Sequence, residues 1–209
     1  MALDSFTNLK ASIRTQSTRS EMSDDHIEDF IQMAEAEMYS NSIAPIRFRS
    51  MESRQTASLS AAARFLALPT DFLEMRALRL ILSGSSPDVK YRAPDQLSLN
   101  GTSGKPRFYT VTSQLEFDRV PDSAYTIEML LYIKLTALSS SNASNAILAD
   151  HPQVYLFGSL WALWLQAQEE EKAEFYYGKF IGAIKGVISG DKKGKYGSAP
   201  VIRLEGSTP

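Results

Sequence analysis

Proline divides this chain into regions with different structural options. Pro69, Pro87, Pro94, Pro106 and Pro121 punctuate the stretch from Ile46 to Leu138, with Gly84, Gly101 and Gly104 among them. Proline removes a backbone donor and clashes with the preceding helical turn, so this density forbids long helices and suits short strands joined by turns. The spacing predicts strands over Arg64–Leu68, Met75–Leu82, Lys90–Arg92, Phe108–Thr112 and Gln114–Phe117. The clearest strand runs from Tyr125 to Leu135, with Tyr125, Ile127, Met129, Leu131, Ile133 and Leu135 on one face. Glu128 and Lys134 lie on the other, which Leu130 and Tyr132 mark as partly covered.

Both flanks of this region have helical periodicity. Leu3 to Arg14 places Phe6, Leu9 and Ile13 on one side and reads as a short helix. Ser23-Asp24-Asp25 then provides an N-cap and the negative charge a helix start favours. Ile27, Phe30, Ile31, Ala34 and Met38 follow at helical spacing, and the helix should end before Pro45. After Leu138, Ser139 to Asn145 is a linker by composition, Asp150 is a candidate N-cap, and Pro152 suits a first turn. One long helix is expected from His151 to about Ser189. It is apolar nearly all round from Val154 to Leu165, and Glu169-Glu170-Glu171 should face solvent. The stripe then resumes at Ala173, Tyr177, Phe180, Ile184 and Val187, with Gly190 as the expected stop.

The fold class expected is therefore α+β: a helical unit built from both chain ends, with an inserted antiparallel β-module. The boundaries read from the sequence are 1–45 for the N-terminal helices, 46–138 for the insertion, 139–190 for the long C-terminal helix and 191–209 for an extended tail. Composition supports a packed core, since 44% of the 209 residues are hydrophobic. Cysteine is absent, which rules out disulfides and thiolate metal sites. The formal net charge of -2 provides no overall basic field for nucleic acid or an anionic membrane. The first residues do not read as a signal peptide, and Val154–Leu165 is short of the roughly 20 apolar residues a membrane span needs.

Few residues suggest chemistry. His26 and His151, at expected helix starts, have no partner at a recognisable catalytic spacing. Asp24, Asp25, Glu28 and Asp29 read as acids near a helix N-terminus. Gly101-Thr102-Ser103-Gly104-Lys105-Pro106 lacks the Gly-Lys-Ser/Thr ending of a phosphate loop and reads as a hairpin turn. No catalytic, metal-binding or cofactor-binding residue is assigned. The surfaces of interest are instead Gly178, Gly182 and Gly186, which recur every fourth residue and invite close approach of another helix, with Tyr177, Phe180 and Ile184 beside them. Lys192, Lys193, Lys195 and Tyr196 form the one basic cluster and complete this candidate subunit or partner interface.

Several segments together resemble the head–tail adaptor (connector) proteins of tailed bacteriophages. Leu68-Pro69-Thr70-Asp71-Phe72-Leu73-Glu74-Met75-Arg76 resembles their LP-x-DFLE-x-R segment. Arg92-Ala93-Pro94-Asp95-Gln96-Leu97 is similar to a short strand and loop, and Pro106–Thr110 with Leu115–Phe117 to a central hairpin. Tyr125–Tyr132 is similar to the strand that follows, and Asn145–Leu160 to the start of the long helix, with Phe157 in place of a tyrosine. The resemblance spans roughly 51–177. It implies a non-enzymatic virion protein of the phage neck, made in the bacterial host cytoplasm. Its subunits would form a homo-oligomeric ring, a dodecamer, beneath the portal protein. The ring would offer a platform to a downstream tail or nozzle protein and continue the DNA channel, with non-specific DNA passage through it. Two rivals remain at this level: a tail-completion protein such as a stopper or terminator, and a small hydrolase using Asp24, His26 and Glu28.

Overall fold

The computed structural model describes residues 3–98 and 102–195, of which 193–195 are described by backbone alone. The chain is α+β and forms two compact units, one from residues 1–50 and 136–209, the other from 51–135.

The helical unit holds α1 (Phe6–Ser17), α2 (Asp24–Ser40), α3 (Ala146–Asp150), α4 (Pro152–Gln166) and α5 (Glu170–Lys195). Its starts are capped as side-chain chemistry dictates: Ser5 accepts from the Asn8 N–H, Ser23 from that of His26 and Asn145 from that of Leu148. The apolar stripes read from the sequence form the core, with Leu9, Ile13, Ile27, Ala34, Met38, Phe180 and Ile184 all fully buried. Fully burying each large aliphatic or aromatic side chain contributes roughly 1.5–3 kcal/mol, which is what holds these amphipathic helices together.

Three expectations for this unit need correction. The continuous helix from His151 to Ser189 is instead a helical hairpin, broken at 167–169, where Gln168 takes φ 56°. The fold-back is visible in ring contacts: Phe157 with Tyr176, Trp161 with Tyr177 and Trp161 with Phe180 have centroids 5.3–6.5 Å apart. Residues this far apart in sequence would be separated by about 24–29 Å along a straight helix. Glu170 and Glu171 accordingly sit in the first turn of a new helix, where their charge opposes the positive end of the dipole. Second, Gly190 does not stop α5, which runs to Lys195, and Asp191 reaches Arg49 at 3.7 Å. The tail expected from 191 is therefore helical through 195, and the rest of it lies outside the described residues. Third, Asp150 ends the short α3 instead of capping α4, the cap position falling on His151.

The sheet unit contains β1 (Glu52–Leu59), β2 (Phe65–Ala67), β3 (Phe72–Ile81), β4 (Asp88–Tyr91), β5 (Phe108–Val111), β6 (Gln114–Phe117) and β7 (Tyr125–Ile133), ordered β1-β7-β3-β4-β5-β6-β2. All pairings are antiparallel except β4 with β5. That parallel pair corrects the hairpin turn expected at 101–106, because parallel neighbours need a crossover instead of a tight reversal. In its described part the connection carries a 3-10 turn at Pro94–Gln96, and Gly104 N–H donates to Val120 O at 2.9 Å.

This sheet must curl. Six inter-strand steps of roughly 4.8 Å would put the edges of a flat sheet about 29 Å apart. Yet the edge strands β1 and β2 are joined by residues 60–64 alone, and such a link reaches at most about 21 Å. The concave side holds the core: Leu78 and Leu80 of β3, Tyr109, Leu115, Phe117, and Tyr125, Ile127, Met129 and Leu131 of β7. The opposite face carries ion pairs, Arg54 with Glu128 at 2.8 Å and Arg79 with Asp88 at 2.7 Å.

Candidate assembly surfaces

The residues singled out on the last helix separate into two sets once α5 folds back on α4. Phe180 and Ile184 are buried in the chain's own core, Phe180 against Trp161, which withdraws both from any partner-facing surface. Tyr177 is half-buried, with its hydroxyl accepting from Asn41 Nδ2 at 2.8 Å and donating to Glu37 Oε1 at 3.1 Å. Burial, together with its bond to Glu37, raises the Tyr177 pKa. These aromatics form the inner face of the hairpin.

Gly178, Gly182 and Gly186 are on the outer face. All three are exposed, and a Cβ built on any of them would meet nothing within 4 Å. Nothing among the described residues therefore requires glycine there. Gly158 of α4 contrasts with them: its Cβ would lie 2.8 Å from both Ala34 Cβ and Phe180 Cε2. A groove of about 590 Å3 adjoins the same stretch of α5, with Gly186 and Gly190 on one side and Phe48, Arg49 and His151 among its other walls. Lys192 is exposed, nothing is described of the Lys193 and Lys195 side chains, and Tyr196 lies outside the described residues.

The hydrolase constellation does not assemble. Asp24 and Glu28 face α1, where Lys10 Nζ donates to Asp24 Oδ2 at 2.7 Å and Glu28 Oε1 at 2.9 Å, and Arg14 also pairs with Asp24. The Lys10 hydrogen bond, followed by that of Arg14, holds the Asp24 carboxyl below its ordinary pKa. His26 is exposed and lines a separate cavity of about 300 Å3 with Arg19, Phe30 and Leu163. The three side chains do not share a pocket. Among the described residues no group of three or more His, Asp or Glu side chains could hold a metal ion, and no helix is long and apolar enough to cross a membrane.

Sequence reasoning missed a buried polar network inside the helical unit. Glu35 of α2 is only 5% exposed, and its Oε1 accepts from the Tyr155 hydroxyl at 2.8 Å and from the Leu138 N–H at 2.9 Å. Asn145 Nδ2 in turn donates to the Tyr155 oxygen at 2.7 Å. Burial, then the neighbouring Glu35, pushes the Tyr155 phenol far up, so it remains a neutral donor. The network ties α2, the segment leading into α3 and α4 together. Its sequence signals are a glutamate among the apolar positions of α2 and Asn145, the second of two asparagines in the serine-rich linker.

The helical unit is interrupted in sequence by a curled, antiparallel-rich sheet, Asp24 and Glu28 of α2 are held in ion pairs, and the β5–β6 hairpin stands where the phage-adaptor resemblance expects one. A family model described as SU10 adaptor protein matches residues 4–203, and the chain belongs to that family, as a bacteriophage head–tail adaptor. The family is structural and implies a virion component that contacts other phage structural proteins. No curated protein sequence matches this chain significantly.

Proposed function

We propose that the chain is the ring-forming adaptor of a phage neck, a dodecamer seated beneath the portal that continues its channel and offers its far side to the next tail component. The observation that carries this reading is the family match over residues 4–203. The exposed glycines of α5 support it: glycine in a helix interior costs up to about 1 kcal/mol relative to alanine, and among the described residues nothing occupies the space beside Gly178, Gly182 and Gly186. A partner backbone approaching closely along that face gives the repeated cost a purpose. Lys192, Lys193, Lys195 and Tyr196 follow it in sequence and complete the partner-facing surface. Ring contacts of this kind are heterologous, one patch meeting a different patch on the next copy. Electron microscopy of the purified chain mixed with portal-bearing capsids tests the proposal. Closed rings at the portal vertex are expected; a chain that stays monomeric and leaves those capsids bare contradicts it.

A further inference from the structure

We propose that copies of this chain join head to tail by seating the α4–α5 corner of one copy in a basic-rimmed cleft on the sheet unit of the next. This rests on the adaptor reading above and names a contact that such a ring requires.

The cleft has a volume of about 360 Å3. Leu80, Pro106 and Phe108 give it apolar walls, and Lys90, Lys105 and Arg107 stand exposed at its rim. Among the described residues no carboxylate pairs with those three cations. The one acid in the lining, Asp88, is offset by Arg79, whose Nε donates to it at 2.7 Å. Arg92 adds a further positive charge, its guanidinium lying 3.9 Å from the centre of the Phe108 ring. An apolar floor inside a cationic rim fits an acidic segment that carries an apolar side chain.

The chain displays such a segment. At the corner between α4 and α5, Glu169, Glu170, Glu171 and Glu174 are all exposed. Leu165 at 50% and Phe175 at 58% exposure flank them. Lys172, the cation among them, is drawn onto the Trp164 ring at 4.2 Å and toward Glu169 at 3.6 Å. The turn through Gln168, at φ 56°, joins the two helices at this end of the hairpin. The corner therefore complements the cleft in sign of charge and in polarity, the combination that steers association and fixes register. Because corner and cleft are different patches of one sequence, their union is the heterologous contact from which a ring can close. A nucleic-acid backbone fits less well, since an apolar floor offers it no phosphate contact.

The test uses the absence of cysteine, which makes any disulfide report an introduced pair. Full-length Lys105→Cys and Glu170→Cys variants are mixed with portal-bearing capsids under mild oxidation. A cross-linked dimer well above that of either variant alone is expected. Reversing the rim (Lys90→Glu, Lys105→Glu, Arg107→Glu) should weaken assembly on the order of tenfold or more. Reversing the corner as well (Glu169→Lys, Glu170→Lys, Glu171→Lys) should restore it, and that rescue also excludes simple misfolding. Rings that form without the mixed cross-link overturn this contact and leave the adaptor reading standing. A double variant Lys105→Cys/Glu170→Cys that closes within one chain overturns it too, by making the cleft's occupant the chain's own corner. Absence of any assembly on the capsids removes both proposals.

Discussion

Helices α4 and α5 both contain glycine, and the two uses are opposite. Gly158 in α4 is surrounded: Ala34 and Phe180 come so close that a single methyl group would overlap both. Gly178, Gly182 and Gly186 in α5 face open space, although the residues between them, Phe180 and Ile184, are wholly buried. Glycine in α4 serves the chain's own core, letting α2 and the returning α5 approach closely. Gly178, Gly182 and Gly186 of α5 serve no contact among the described residues. The same residue type thus has an internal cause in one helix and needs an external one in the other, and the packing around each glycine separates the two cases where sequence does not.

Variants can break or sharpen this contrast. The largest effect is expected from Phe180→Ala, which empties the space between α4 and α5 and should cost about 3–5 kcal/mol in chemical denaturation. Gly158→Ala should be destabilising by about 1–3 kcal/mol through overpacking, despite alanine's better helix propensity. The two should be strongly non-additive, because removing the Phe180 ring relieves much of the clash that Gly158→Ala creates; strict additivity would break the packing account of Gly158. The smallest effect belongs to the exposed tie between α1 and α2. Asp24 has its pKa lowered in the folded state by Lys10 and Arg14, so its contribution is present above the ordinary carboxylate pKa and is lost as pH falls through the depressed folded value. Asp24→Asn should be slightly less stable than the parent near neutral pH, and the difference should shrink in an acid titration as pH falls through the depressed Asp24 value.

How far the sequence foretold the structure varied with the kind of signal involved. Strand β7 was readable because Tyr125, Ile127, Met129 and Leu131 alternate and all face the core. Strand β6 was found at Gln114–Phe117 as expected. Strand β1 was missed: over Glu52–Leu59 its apolar residues are only Ala57 and Leu59, since an edge strand with one wet face needs little apolar pattern. The register shifts near Phe72 and Met75 hid the beginning of β3 for a related reason, because each shift disturbs strict alternation. The break between α4 and α5 was also hidden. Gln166-Ala167-Gln168-Glu169 contains neither glycine nor proline, and non-glycine Gln168 adopts the left-handed conformation under tertiary demand. The three glutamates after it, read as a wet patch of one helix, were the better clue to a new helix start. Of the proposed surface, the glycine stripe was legible as a pattern, while the burial of Phe180 and Ile184 depended on the fold-back and so could not be read from it.

The glycine face of α5 is the most direct place to test whether this chain keeps a surface for a partner. The variant Gly178→Ala/Gly182→Ala/Gly186→Ala should raise the thermal stability of the isolated chain, by up to about 1 kcal/mol per site, since alanine is the better helix former and no neighbour among the described residues obstructs it. The same variant should lose assembly with portal-bearing capsids, because three methyl groups hold off a closely packed backbone. Measured side by side, a gain in melting temperature together with lost assembly is the predicted result. The same gain with assembly unchanged would contradict the account.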